Sequence, residues 1–243
     1  MSEERDAAPP LLSMRSYFSI THLAAAAQHA RAAGMIEASY KQFDGAEALE
    51  HKGCVTASLF MSVAAVEAFI NELFLDCSVG YTHHLAGLDT ATIDRLGRTW
   101  TCNNSLVERA GILEKYDMAC LLADKTPYSR GSREIQDVAV AIAVRNALMH
   151  YKPQSIDLPT DGSPGTIQGK GAWGGLSKTL LGYSLKPNPY ATAAQPEFPY
   201  RMLAHDFAAR AFESTLHFLE LFAGYMGMTN PPFRNIAPTL KAR

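Results

Sequence analysis

One arginine and one histidine near the middle of the chain have the types and spacing for metal-free phosphodiester chemistry. Arg145 precedes His150 with four residues between them, and Asn146 directly follows the arginine. A histidine titrates near neutral pH and can exchange a proton with a hydroxyl group. A guanidinium binds phosphate oxygens and stabilises charge that develops on phosphorus. Asn146 and His150 are four residues apart, so they would share one face of a helix.

The segment that carries these residues is expected to be an apolar helix from about 132 to 151. At 3.6 residues per turn, one apolar stripe comprises Ile135, Val138, Ile142 and Met149. Arg145 interrupts this stripe. Burial of an unpaired guanidinium is costly, so Arg145 is expected to have an anionic partner, a solvated cleft or a catalytic role.

Helical propensity and apolar periodicity place the other main helices before and after this one. They are expected at about 20–34, 54–76, 105–123 and 202–226, with a short helix near 90–96. Residues 152–200 are rich in glycine and proline and fit no periodic template, apart from an expected hairpin at 166–181. The prediction is an all-α, up-and-down bundle of about five main helices with a long Gly/Pro-rich loop before the last helix.

A single domain is expected. Its parts are a disordered lead-in (1–19), a helical domain (20–228) that includes the loop insertion 152–200, and a C-terminal tail (229–243). The most apolar run, 54–75, contains Glu67 and Asn71, which favours a buried central helix over a membrane span.

The composition excludes several classes of protein. A net charge of −2 argues against a general nucleic-acid coat, and 47% hydrophobic with 19% charged residues is typical of a globular protein. The four cysteines form no CxxC pair, and no secretory leader precedes them, so a reduced cytoplasmic protein without a metal is predicted. The signatures of nucleotide-binding loops, hydrolase elbows and zinc proteases are also missing from the sequence, and no cofactor is expected.

The segment Arg145-Asn146-Ala147-Leu148-Met149-His150 resembles the hallmark of the HEPN superfamily, helical domains of prokaryotic conflict systems and RNA processing. That hallmark is an arginine, four to six residues and a histidine near the end of a late helix, often with a polar residue directly after the arginine. The segment 66–74, which contains Glu67, is similar to the acid-containing helix that faces this motif in several HEPN families. The resemblance covers roughly residues 20–225.

The resemblance implies a metal-independent endoribonuclease. In that mechanism a 2′-hydroxyl attacks the adjacent phosphate and leaves a 2′,3′-cyclic phosphate and a 5′-hydroxyl. His150 would transfer protons, Arg145 would stabilise the pentavalent phosphate and Asn146 would position it. Family members commonly form homodimers in which two motifs meet in one cleft, so RNA and a second copy of the chain are the expected partners.

Other residues receive supporting roles. Glu67 and Asn71 would support the arginine, and Tyr151 and Lys152 would contact the RNA. An antitoxin or another regulatory protein is a further expected partner. Some HEPN toxins carry a tyrosine two residues after the histidine as a modification site, but this chain has Lys152 there, so the resemblance does not extend to that form of control.

Two other arginine–histidine pairs fit the same spacing. Arg15 with His22 and Arg210 with His217 each have six residues between them. Arg15 lies in the expected lead-in, and Arg210 is followed by Ala211 rather than a polar residue, so Arg145 is preferred.

Two alternatives to catalysis remain open. The chain would then be a non-catalytic HEPN-like module that binds nucleic acid or a protein, or a plain helical interaction module in which Arg145 and Glu67 form a structural ion pair in the core.

Overall fold

The regular secondary structure of the described residues is almost all helical, as predicted. The computed structural model describes residues 14–153, 156–157, 166–167 and 173–243. Its α-helices are α1 (Phe18–Ser39), α2 (Gly45–Val79), α3 (Thr90–Arg109), α4 (Ile112–Leu122), α5 (Arg133–Met149), α6 (Trp173–Leu181) and α7 (His205–Met226). Two two-residue strands, β1 (Ile156–Asp157) and β2 (Thr166–Ile167), pair antiparallel. The all-α class is confirmed, and the up-and-down arrangement of about five main helices stays a prediction.

Helix α2 is the element around which the others pack. It contacts α1, α3, α4, α5 and α7. Asp44 caps its N-terminus by accepting hydrogen bonds from the N–H groups of Ala46 and Glu47, and Gly80 ends it in a left-handed conformation. The expected buried central helix at 54–76 lies within α2, and one apolar stripe of it is buried: Leu59, Val63, Val66, Ile70, Leu73 and Phe74. Because α2 is apolar over most of its circumference, it can serve as the centre of the bundle.

The length and composition of α2 would also suit a membrane span. It alone passes that test among the described residues, with half of its most apolar window buried inside the protein. The core helix of a soluble protein passes the same test, so this result is weak support for a membrane location.

Helix α1 is longer than predicted at both ends. It passes through Gly34, which was expected to end or kink it, and Gly34 instead leaves room for the ring of His205. Its first turn is held by Glu72 of α2, which accepts hydrogen bonds from the N–H and hydroxyl of Ser19. The lead-in predicted for 1–19 therefore includes ordered, partly buried residues from 14 onward, and residues 1–13 lie outside the described chain.

The predicted helix at 105–123 is wrong because two helices meet inside it. Helix α3 continues to Arg109, and α4 starts at Ile112. The break occurs at Gly111, whose N–H donates a hydrogen bond to the Glu114 carboxylate at 2.8 Å. A side chain at the third position of α4 thus satisfies the backbone at its start.

Two irregular regions contain more structure than predicted. Residues 173–181 form α6 instead of the second half of a hairpin, with Leu180 buried against the core. Residues 229–243, predicted as a tail, pack on the helices: Phe233 is buried against the ring of Phe69, and Arg243 pairs with Asp206. Apolar side chains separated by prolines and glycines give no helical period, which explains why the sequence did not reveal this packing.

Candidate active site

The apolar stripe of α5 lies in a different register from the predicted one. Its buried residues are Ile135, Val138, Ala141 and Val144. Met149, expected in the core, is 56% exposed. Arg145 therefore follows the buried Val144 at the edge of the stripe, and its side chain is 23% exposed. The guanidinium is partly desolvated and still reachable from solvent.

Glu67 of α2 is the anionic partner of Arg145. An Nη2 atom of the guanidinium lies 3.5 Å from Oε2 of the carboxylate, and the Glu67 side chain is 40% exposed. The structure thus brings together two residues that lie 78 positions apart and that the sequence singled out separately. The pair sits where α5 crosses α2, at the border between core and solvent.

Lys115 of α4 completes the cluster and was missed by the sequence analysis. Its Nζ donates a hydrogen bond to Oδ1 of Asn71 at 2.9 Å and lies 3.9 Å from Oε1 of Glu67. Only 1% of the residue is exposed, and this desolvation lowers the pKa of its ammonium group. Glu67 therefore has a cation on each of its two oxygens, and Asn71 contacts the second cation.

The position of Lys115 follows from how α4 is seated on α2. The neighbouring Tyr116 is buried, and its hydroxyl donates a 2.7 Å hydrogen bond to the carbonyl of Val66. The other buried residues of α4 are Ile112, Ala119 and Cys120. One face of α4 carries Ile112, Lys115 and Ala119 at helical spacing. A predicted helix that began at residue 112 would therefore have placed Lys115 on the side that faces the core.

The free donor capacity of this cluster suits an anionic ligand. Arg145 and Lys115 share one contacting carboxylate, and the exposed Glu108 adds a weaker favourable interaction with Lys115. Glu67 makes contacts of 3.5 and 3.9 Å, longer than the 2.7–2.9 Å of a charge-assisted hydrogen bond. The guanidinium thus keeps donor capacity toward solvent for an oxyanion such as a phosphate.

Asn146 and His150 lie on the outward face of α5. Both residues are exposed, and neither takes part in the contacts between Glu67, Arg145 and Lys115. The backbone N–H of His150 donates to the carbonyl of Asn146, so His150 caps the C-terminal end of the helix. Within one chain, the predicted catalytic residues Arg145, Asn146 and His150 therefore do not all meet in one cluster of contacts.

Tyr151 and Lys152 follow directly after the helix and are both exposed at the surface. Tyr200, from the segment before α7, forms a hydrogen bond with Tyr151, and this contact together with burial raises the pKa of the Tyr151 phenol. The predicted substrate-binding residues thus share the C-terminal end of α5 with His150.

The two competing arginines have tighter partners than Arg145. Arg15 binds Asp76, which is 2% exposed. Arg210 donates to both oxygens of Asp137, at 3.1 and 3.2 Å, and stacks on the ring of Tyr183 at 4.2 Å. Each of these arginines ties two segments together.

No family model, curated protein or solved structure matches the chain. The resemblance to HEPN proteins therefore rests on the sequence motifs alone. In the described ranges, no group of three or more histidine, cysteine, aspartate or glutamate side chains is arranged to hold a metal ion.

Proposed function

We propose that the protein is a metal-independent endoribonuclease of the HEPN type that cleaves RNA by attack of a 2′-hydroxyl on the adjacent phosphate. The observation that carries the proposal is the site of Arg145: a partly exposed guanidinium whose carboxylate partner among the described residues, Glu67, is shared with the buried Lys115. Such an arginine is oriented from the protein side and retains donors for a phosphate.

The reaction needs one group that takes a proton from the 2′-hydroxyl and one that gives a proton to the leaving 5′-oxygen. His150, which is exposed at the C-terminal end of α5, would serve as one of these two groups. The new bond joins O2′ to phosphorus, the bond from phosphorus to O5′ breaks, and Arg145 stabilises the pentavalent phosphate between these steps. Glu67, which Lys115 contacts on its other oxygen, orients the guanidinium, and Asn146 would position the phosphate.

A second copy of the chain would supply the second histidine. Asn146 and His150 occupy the outward face of α5, together with Met149, which is 56% exposed. An exposed methionine beside polar site residues suits a homodimer contact in which two such faces meet. We include this dimer in the proposal, with an up-and-down helical bundle as its scaffold. We also propose a cytoplasmic location and a role in a toxin–antitoxin or phage-defence system, in which an antitoxin or another protein regulates the activity.

The test is RNA cleavage in EDTA by the wild-type protein, His150→Ala and Arg145→Ala, each purified identically and shown to be folded. Of these three proteins we expect only the wild type to cleave, with 5′-hydroxyl ends that polynucleotide kinase labels without phosphatase treatment, and we expect His217→Ala to cleave as the wild type does. His217→Ala is the matched control, because His217 is also exposed and also follows an arginine. Equal cleavage by all four proteins would overturn the proposal.

A non-catalytic module that binds RNA is the second candidate, because the solvent-facing donors of Arg145 would hold a phosphate without cleaving it. It predicts that wild type and His150→Ala bind single-stranded RNA equally and leave it intact, while Arg145→Ala binds more weakly.

A further inference from the structure

An aromatic and basic surface lies beside His150, formed by residues from three separate parts of the chain. Tyr151 follows His150 at the end of α5, Tyr200 comes from the segment before α7, and Lys52 comes from α2. The Lys52 Nζ lies 5.8 Å from the centre of the Tyr200 ring. These positions are 48 or more residues apart in sequence, so only the tertiary structure brings them together.

Tyr200 is held in place by its own segment. Phe198 is fully buried, and Arg201 pairs with Glu197 at 2.8 Å. The side-chain amide of Asn188 donates to the Tyr200 carbonyl at 3.3 Å. An aromatic ring anchored in this way loses little conformational freedom when a ligand stacks on it.

The surface remains open to a ligand. Tyr151 is 38% exposed, Tyr200 is partly exposed, and Lys52 is exposed. Lys152 adds a further positive charge next to Tyr151. Aromatic rings interleaved with lysines are the combination that proteins use for single-stranded nucleic acid, where bases stack on rings and cations attract the backbone.

We infer that Tyr151, Tyr200 and Lys52 form a binding site for an unpaired nucleobase at the C-terminal end of α5, beside His150. The inference rests on the proposed function and names the residues that would hold one unpaired base of the RNA: the base stacks on the tyrosines, and the lysines hold the backbone. A paired base cannot reach such a site without leaving its helix, so a duplex is excluded.

The chain offers a close control for this surface. Tyr225 is also 38% exposed, and the Lys125 Nζ lies 5.1 Å from its ring centre. This second lysine–tyrosine pair has the same chemistry, but it involves the C-terminal part of α7 and no residue of the candidate site.

The experiment measures binding of a single-stranded RNA oligonucleotide that carries 2-aminopurine, with His150→Ala as the parent so that the RNA stays intact. We expect Tyr200→Leu to weaken binding by roughly tenfold or more and to abolish the quenching of 2-aminopurine at one position, as loss of a base stack does. Lys52→Gln, at an exposed position that should not affect folding, is expected to weaken binding less. Tyr225→Leu is expected to bind as the parent does, and a fully paired RNA is expected to show no effect of Tyr200→Leu.

The outcomes separate this inference from the nuclease proposal. Cleavage that depends on His150, combined with unchanged binding and KM in both Tyr200→Leu and Lys52→Gln, overturns the base site and leaves the nuclease standing. Binding that depends on Tyr200, without cleavage by the wild type, overturns the nuclease and supports the base site. Equal weakening by Tyr225→Leu would show a general surface effect and would also overturn the site.

Discussion

Replacing Arg145 with alanine separates a catalytic arginine from a structural one, because the structure predicts a small effect on stability. The Arg145 guanidinium lies 3.5 Å from the Glu67 carboxylate, and the two side chains are 23% and 40% exposed, respectively. Exposed or partly exposed pairs contribute up to about 1 kcal/mol, whereas removal of one partner from a buried pair costs about 3–5 kcal/mol. After the substitution Glu67 still has Lys115 at 3.9 Å, so no carboxylate is left without a cation.

We therefore expect Arg145→Ala to lower the free energy of unfolding by about 1 kcal/mol, with a contribution from the lost packing of the arginine stem. RNA cleavage should fall by about 100-fold or more, the scale of a lost group that stabilises charge in the transition state. Urea denaturation followed by circular dichroism, and cleavage of a labelled RNA, measure the two effects on the same samples.

Arg210→Ala is the matched control. Arg210 donates two hydrogen bonds to Asp137 and stacks on Tyr183, so its loss is expected to cost about 2 kcal/mol and leave cleavage by the folded protein unchanged. A cost of more than about 3 kcal/mol for Arg145→Ala would identify the arginine as a structural residue and refute its catalytic role. Cleavage of RNA by Arg145→Ala as fast as by the wild type would also refute that role.

Other features of the structure lead to further predictions. Burial lowers the pKa of Lys115, so the unfolded chain binds more protons than the folded chain just below pH 10.5. The free energy of unfolding of the wild type should therefore rise, relative to that of Lys115→Met, as the pH increases through this window. Urea titrations at several pH values measure this difference. Gly97→Ala places a Cβ 2.7 Å from the Cys77 carbonyl oxygen and should lower the free energy of unfolding by about 2 kcal/mol. The Cβ of Gly53→Ala meets nothing within 4 Å, so this substitution should stabilise α2 by about 0.5–1 kcal/mol. Thermal unfolding measures both effects. Burial raises the pKa of Cys77 to about 12 and of Cys120 to about 11, so alkylation mapped by mass spectrometry at pH 8 should reach both thiols only after unfolding.

The helices with strong, continuous patterns were predictable. The apolar stripe of α2 identified the central helix, although its ends extend to Gly45 and Val79. Helical propensity and apolar periodicity predicted the all-α class, and the polar residues Glu67 and Arg145 stood out because each interrupts an apolar segment. These are local properties, so a single sequence contains them.

The register of α5 and the role of Lys115 were not predictable in the same way. The helical period of α5 is compatible with two apolar faces. In the packed structure the buried face contains Ala141 and Val144, and the face that contains Met149 is not buried. Lys115 appeared to lie in a mixed amphipathic helix until the break at Gly111 fixed where α4 begins. A change in the start of a helix alters which face its residues present to the core, and the sequence pattern alone does not settle that start.

The sequence by itself determined the helical class, the identity of the most apolar helix and the spacing of Arg145 and His150, since these depend on residue types and short-range periodicity. The tertiary structure decided which distant residues meet. It placed Lys115 and Arg145 on the two oxygens of Glu67, and it brought Tyr200 and Lys52 to the end of α5. Such contacts depend on how helices cross and where loops return, because the packing of a whole core selects one arrangement among many that the same local patterns permit.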